Sequence, residues 1–357
     1  MAGGSGLTGR AVVQYFSELG YLVTAISRRP PLELYGAQFV ALDLEDARAC
    51  REVLGAMRNI SRIVFAALYE ADRLRDGWFQ EEHIRRNAAM LRNVLEPVER
   101  ASRSLRHVAV VHGPKAYGVH VGGMALSARE GQDERFDIPQ FYFAQEEYLR
   151  SSQSGKGWCW TILRPGLVVG SAVGSPMNVI AALGVYGALL REDGEPLHYP
   201  RSRKYDAIGE ACDSDLLARA IGWAGQAEAA RNEVFNVTNG DLYSMASMWP
   251  VIAGCLGMEV GEDRPMKLAE TMPRRAGDWE RLRERHGLLA PGMSEFVAQS
   301  FQHVDGSSQR SGQVSDTVHV MSTVKIRSAG FHDAVDTRKM FERWFDRYRL
   351  QRLLPPL

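Results

Sequence analysis

Hydrophobic and polar positions in the first half of the chain switch repeatedly between two periods. Val12, Tyr15, Phe16 and Leu19 recur at helical spacing within 7–19, and the β-rich run YLVTAIS follows at 21–27. AQFVALDL (37–44) is a second β-rich run, and SRIVFAAL (61–68) reads as a buried strand. NAAMLRNVLEPVERA (87–101) returns to the helical period, with Leu91, Val94, Leu95 and Val98 on one face. RHVAVVHG (106–113) and CWTILRPG (159–166) read as further strands, with QFYFAQEEYLRSS (140–152) as the helix between them. Strands alternating with helices predict a parallel sheet covered on both faces, a doubly wound (Rossmann) α/β fold.

After about residue 170 the rhythm loosens. MNVIAALGVYGALLRE (177–192) predicts a helix and NEVFNVTNGD (232–241) one more strand leading into a turn; the remainder is largely helical. The expected organisation is a Rossmann domain over 1–174, with 205–245 returning to it. Residues 175–204 and 246–357 then form a smaller, mostly helical lobe that covers the substrate. DGSSQRSGQVSD (305–316) is polar and aperiodic and predicts a loop.

Composition narrows the class without changing that picture. Apolar residues make up 45% of the 357 positions, enough for a large core. Lys plus Arg and Asp plus Glu both total 43, so no net field favours nucleic acid or an anionic membrane. The four cysteines are scattered without a CxxC pair, which argues against a disulfide framework or a metal site and for buried thiols. No apolar run reaches membrane-spanning length and no signal peptide is evident, so a cytoplasmic protein is expected.

The first chemistry-bearing pattern is the glycine set Gly3, Gly6 and Gly9 (Gly4 with Gly6 and Gly9 also satisfies GxGxxG). Such a loop lets backbone approach a pyrophosphate, and Leu7 opens a helix whose N-terminal N–H groups would face it. At the end of the next β-run stand Ser27, Arg28 and Arg29, with no acid among them. An acid there would bind the ribose hydroxyls of NAD, whereas arginines suit the 2′-phosphate of NADP. Asp43 and Leu44 close the following β-run, where such folds contact adenine; a helix N-cap role for Asp43 is the competing reading. Pro165 and Gly166, at the end of CWTILRPG, complete the cofactor candidates.

Hydride transfer to a carbonyl or enone builds negative charge on oxygen, which a phenol or ammonium can stabilise. The usual YxxxK pair is missing from the expected region. Instead VVHGPKAYGVH places Lys115 and Tyr117 just beyond a strand, and IPQFYFAQEEYL places Tyr142 at the start of the next helix. On the residues alone, Tyr142 as an ordinary aromatic and Lys115 as a surface cation stand level with the catalytic reading.

Several of these stretches resemble, in order, the progesterone 5β-reductase/iridoid synthase-like (PRISE) family, an atypical branch of the extended short-chain dehydrogenases. KAYG resembles its Lys-His-Tyr motif, and QFYFAQEE its Asn-Phe-Tyr-Tyr motif. The similarity continues through WTILRPGLVVG, SPMNVIAALGVYGALLRE, NEVFNVTNGD and KIRSAGF, so it covers nearly the whole chain. It implies an NADPH-dependent reductase that delivers hydride to the β-carbon of an enone or enal. Tyr142 and Lys115 then stabilise the enolate oxygen, and Tyr117, His112 and Asn178 line the substrate. A carbonyl reductase acting on aldehydes or ketones is the alternative, and a catalytically silent NADP-binding regulator a lesser one. The partner expected is a small-molecule enone or carbonyl compound, with a homodimer compatible with the pattern. His112 replaces the threonine of the plant enzymes, and Ala116 the family's histidine between Lys and Tyr.

The glycine loop begins at residue 3, where a buried strand ordinarily precedes it, so the fold is expected to lack its first strand. An empty central slot would leave two rows of backbone donors and acceptors without partners, at about 1–3 kcal/mol each. The expectation is therefore that the natural protein begins some residues earlier with a β-rich run.

Overall fold

A computed structural model describes residues 1–122, 124–202, 207–306 and 318–357; of the loop predicted over 305–316, Asp305 and Gly306 instead end the helix Ser300–Gly306, and the rest lies outside the described residues. The chain forms two compact units. The first comprises 1–166, 214–238 and 321–334, and the second 167–213, 239–320 and 335–357.

The first unit is built on parallel strands. β1 (Thr24–Ser27) pairs with β2 (Gln38–Ala41). β3 (Arg62–Phe65), β4 (His107–Val111) and β5 (Cys159–Pro165) follow one another, and the strand Glu233–Val237 closes the far side of β5. Helix α1 (Leu7–Glu18) packs with the helix Ser214–Ala224. Helix α2 (Ala47–Leu54) packs on a long helix, Glu81–Ala101, and that on Phe141–Gln153. This is the doubly wound Rossmann arrangement, and β5 is buried at all seven residues, as a central strand covered on both faces must be.

Between β1 and β3 the ladder is carried by two residues. Met1 donates its amine to the Thr24 carbonyl (2.7 Å) and accepts from the Ile26 N–H (2.8 Å). Ala2 donates to the Val64 carbonyl (2.9 Å) and accepts from the Ala66 N–H (3.0 Å). Four of the groups that an empty slot would leave without partners are thus satisfied, and the glycine loop is anchored where a strand would deliver it. Beneath Met1 lies a cavity of about 120 Å3 lined by Phe16, Val23, Leu54, Ile63, Val94 and Val98.

The second unit is mostly helical. Its centre is the helix Val179–Glu192, buried continuously from Val179 to Leu190, against which Met293–Val297, Ser300–Gly306 and Thr337–Leu350 pack. Trp249, Trp279 and Trp344 are buried in this core. Several boundaries differ from the sequence expectation. Residues 167–174, 207–213 and 239–245 cluster with the helical unit, and 321–334 with the Rossmann unit. The last follows from Asn236, whose side-chain amide donates to the Ser322 carbonyl (3.0 Å), and from Lys325, which pairs with Glu233 (2.7 Å).

Candidate active site

The glycine loop has two positions that tolerate no side chain. Gly3 has φ +87°, and a Cβ on it would lie 2.8 Å from the Ala67 nitrogen. A Cβ on Gly9 would lie 1.9 Å from the Gly3 carbonyl oxygen, so the first turn of α1 closes on the loop only with glycine there. Gly6 differs: a Cβ would make only an ordinary contact, 3.6 Å from the Gly3 oxygen, so packing within the chain does not demand glycine here. Gly6 is also the N-cap of α1 and supplies no side-chain cap. The first-turn N–H groups, beginning at Leu7, therefore remain available to an anion, and the cradle fits a dinucleotide pyrophosphate.

Ser27 ends β1 buried, and its hydroxyl donates to the Arg29 carbonyl (2.7 Å), ordering the turn on which Arg28 and Arg29 are exposed. Asp43 is exposed, its carboxylate accepting from the Glu45 N–H (3.0 Å). The N-cap of α2 is Asp46 instead, which accepts from the Arg48 and Ala49 N–H groups. At Leu44 the side chain belongs to the core and the carbonyl accepts from Asn93 (2.8 Å), which leaves the backbone N–H as the group a cofactor would meet there. Pro165 closes β5, and Gly166 follows, its N–H donating to the Val237 carbonyl (3.1 Å).

Beyond β4 the chain passes through Gly113 into a 3-10 turn, Pro114–Tyr117, which carries Lys115. Tyr142 enters from the first turn of the helix Phe141–Gln153. Its ring stacks on His112 (centroids 4.3 Å apart, planes at 15°) and meets Phe141 edge-on. Ala116, beside Lys115, packs in the same apolar cluster as Tyr142 with Leu68, Ile84 and Phe143. The Tyr142 hydroxyl makes no hydrogen bond among the described residues and lies over Gly113, where a Cβ would sit 3.2 Å from it. Burial, reinforced by the charge of Glu70, pushes the phenol well above its usual value, so at neutral pH it is a proton-bearing donor. Lys115 is also buried; that burial pulls its ammonium down to about 8, while Glu70 acts in the opposite direction.

His112 is held by its Nε2, which donates to Gln145 Oε1 (3.1 Å); Gln145 in turn donates to the Asn87 carbonyl (2.8 Å). Burial, with Arg164 adding to it, drives the His112 pKa well below the usual histidine value. The imidazole is therefore a neutral stacking partner of Tyr142 rather than a group that titrates near neutral pH.

Two substrate-lining expectations fail. Tyr117 is wholly buried, with its hydroxyl donating to Asn236 Oδ1 (2.7 Å) and accepting from Arg164 (3.0 Å). Arg164 also pairs with Glu134 (2.6 Å) and Glu146 (3.3 Å), which makes Tyr117 part of a structural network. Asn178 belongs to the helical unit, where it caps Val179–Glu192 by accepting from the Ala181 N–H. Its amide donates to the Ala172 carbonyl (2.8 Å) and the Tyr348 hydroxyl (2.7 Å), so its polar atoms are spent inside the fold. Sequence reasoning also missed Glu70, Trp78 and Gln145. Glu70 and Trp78 lie in the irregular stretch after β3, which carries no periodic signal, and Gln145 reads as one more polar helix position.

A glycine-loop Rossmann unit with a donor phenol and a buried ammonium beyond β4 defines an oxidoreductase of the short-chain dehydrogenase/epimerase type. Solved structures of that fold superpose over nearly the whole chain. A UDP-glucose 4-epimerase from Thermotoga maritima matches with a TM-score of 0.68 at 16% identity, covering 98% of this chain and 97% of the epimerase. A Thermus thermophilus UDP-glucose 4-epimerase solved with NAD matches at 0.62 and 15%, covering 98% and 97%. Within that class the chain belongs to the PRISE family: the model described as a PRISE-like Rossmann-fold domain matches residues 51–355. An (S)-8-oxocitronellyl enol synthase from Camptotheca acuminata is 28% identical over 93% of this chain and 86% of its own length. The short chain dehydrogenase gsfE of Penicillium aethiopicum is 27% identical, covering 99% and 98%. A 3-oxo-Delta(4,5)-steroid 5-beta-reductase of Arabidopsis thaliana is 26% identical, covering 89% and 80%. No helix among the described residues is long and apolar enough to cross a membrane.

Proposed function

We propose that this protein is an NADPH-dependent reductase of activated carbon–carbon double bonds, acting on a small enone or enal. The observation that carries the reading is the Tyr142 hydroxyl: without a hydrogen-bond partner among the described residues, kept protonated by burial, and held over Gly113 in an apolar cluster. When bound, NADPH supplies the hydride. The α1 N-terminus and the Gly3–Gly6–Gly9 loop bind the pyrophosphate, and Arg28 and Arg29 take the 2′-phosphate. Tyr142 donates a hydrogen bond to the substrate oxygen as negative charge builds there, and the Lys115 ammonium adds positive charge at the same place. Leu68, Ile84, Phe141 and Phe143 keep water from that oxygen, so each charge–dipole contact counts for more than it would in solvent. A phenol that donates to an oxygen would serve carbonyl reduction equally, so the product decides between the two reactions.

The test is incubation of the purified protein with NADPH and a panel of enones, enals and simple ketones, with products identified. Saturated ketones or aldehydes are expected; allylic alcohols would make the protein a carbonyl reductase instead. Tyr142→Phe should lower turnover by about 10²-fold or more while leaving NADPH binding nearly intact. Turnover near that of the unaltered enzyme would remove Tyr142 from the chemistry.

A further inference from the structure

After β3 the chain crosses the carboxyl edge of the sheet as irregular backbone, interrupted by one helical turn, α3 (Leu74–Gly77). This stretch is pinned from α4 (Glu81–Ala101) by Asn87, which accepts from the Tyr69 N–H (2.8 Å) and donates to the Tyr69 carbonyl (3.1 Å). The next residue, Glu70, is a carboxylate whose side chain is only 3% exposed. Its Oε2 accepts from Trp78 Nε1 (2.9 Å) and from His83 Nε2 (3.2 Å), so two donors fix its orientation. Its Oε1 is turned to Lys115 Nζ at 3.6 Å, and on another side Nζ sits 3.6 Å from the centroid of the Trp78 ring.

The ammonium is thus held by charge and by the indole face, at a distance too long for a hydrogen bond to the carboxylate. Among the described residues neither Glu70 Oε1 nor Lys115 Nζ has a hydrogen-bond partner, although both are buried. A buried ammonium ordinarily spends its donors, since leaving them unmade is costly. Trp78 and His83 keep the Glu70 carboxylate from closing on Nζ and taking them.

We infer that Glu70 and Trp78 form a clamp that holds Lys115 as an ammonium with its N–H donors unspent, reserved for the oxygen of a bound substrate. Glu70 is then a positioning residue, acting through Lys115. The inference rests on the site proposed above, and it adds that the lysine's charge state is set from the segment after β3. The titratable groups around Lys115 are Glu70, His83 behind it from α4, His120 edge-on to Trp78, and Tyr142 from the helix Phe141–Gln153. Burial lowers Lys115 to about 8 and Glu70 opposes that fall, so removing the carboxylate should leave the amine neutral at lower pH.

The chain has six lysines, so 13C-lysine labelling resolves each Cε signal, and Lys115→Met assigns the one of interest. A titration midpoint near 8 is expected in the unaltered protein. In Glu70→Gln the midpoint should fall by about one pH unit or more, a tenfold loss of proton affinity. Glu70→Asp, shorter by one methylene, should give a smaller fall and serves if the glutamine variant does not fold. The alkaline limb of turnover should move down in step, with the KM for NADPH unchanged. An unchanged Lys115 midpoint in a folded Glu70 variant overturns the clamp. Full turnover in Lys115→Met would overturn the catalytic reading alone, and the titration would still judge the clamp.

Discussion

Gly113 shows how closely the site is cut to one side chain. Its φ of 178° is extended backbone that any residue adopts, so glycine is not required there by conformation. Space is the reason: an added Cβ would stand 3.2 Å from the Tyr142 hydroxyl and 3.9 Å from the Pro165 carbonyl. The phenol cannot simply step aside, because its ring is stacked on His112 and flanked by Phe141. Gly113→Ala should therefore displace the hydroxyl by a few tenths of an ångström and lower turnover about tenfold. Tm and the NADPH Kd should stay close to those of the unaltered protein. Steady-state kinetics, a cofactor titration and a thermal melt check this together, and unaltered turnover would show that the hydroxyl's position is not critical. Tyr142 and Lys115 were singled out as candidates because each sits in a stretch that resembles a family motif, beside a strand or helix start. Glu70 was not, since its contact with Lys115 joins an aperiodic stretch to a turn after a different strand, and only the sheet order brings them together. Tyr117 and Asn178 misled for a related reason: a polar side chain near a motif reads the same whether its partner is a substrate or Arg164 or Tyr348.

At the scale of elements, period and turn residues carried most of the fold. The runs at 21–27, 37–44, 61–68, 106–113 and 159–166 each contain a strand, in each case shorter than the run. The helix predicted over 87–101 begins earlier, at Glu81, because His83 and Asn87 are buried polar residues that a hydrophobic count leaves off the inner face. The unit boundaries were less legible. Long-range hydrogen bonds from Asn236 and Lys325 bring 321–334 to the Rossmann unit, and no local pattern announces them. The role of the first two residues was hidden as well, since the bonds of Met1 and Ala2 depend on which strands flank them. The end of β1 carries its own prediction. Arg28 and Arg29 are exposed on a turn ordered by Ser27, with no carboxylate at 27–29 to hold ribose hydroxyls. Replacing both arginines with alanine should weaken NADPH by roughly tenfold or more and NADH little. Equal losses for the two cofactors in a fluorescence titration would refute the 2′-phosphate role.

For the whole molecule, net charge and buried histidines together set the response to acid. Positive and negative side chains balance at 43 each, so mild acidification creates no large self-repulsion until the carboxylates begin to protonate. Two histidines at the ends of β4 behave differently from exposed ones. His107 donates through Nε2 to Thr161 Oγ1 (2.9 Å), whose own hydroxyl is spent on the Ala230 carbonyl (2.7 Å). Burial, then Arg62 and Arg231, pulls His107 down from 6.5 to about 3. His112, stacked on Tyr142, is lowered in the same direction. In the unfolded chain both take up a proton as pH falls through about 6.5, while the folded protein refuses it. The stability is thus fully present above about pH 6.5 and is lost as pH falls toward the folded values. His107 contributes a slope of up to about 1.4 kcal/mol per pH unit. It removes about 1 kcal/mol between pH 6 and pH 5, and His112 acts in the same direction, against the roughly 5–15 kcal/mol that holds a typical domain folded. The urea midpoint followed by tryptophan fluorescence should therefore drop steeply from pH 6.5 to 5, before the carboxylate range is reached. His107→Gln keeps a donor for Thr161 but cannot titrate, so it should flatten that slope by about 1 kcal/mol per pH unit. A midpoint that stays level from pH 7 to pH 5 in the unaltered protein would mean that these imidazoles accept protons inside the fold. The neutral stacking role given to His112 would fall with it.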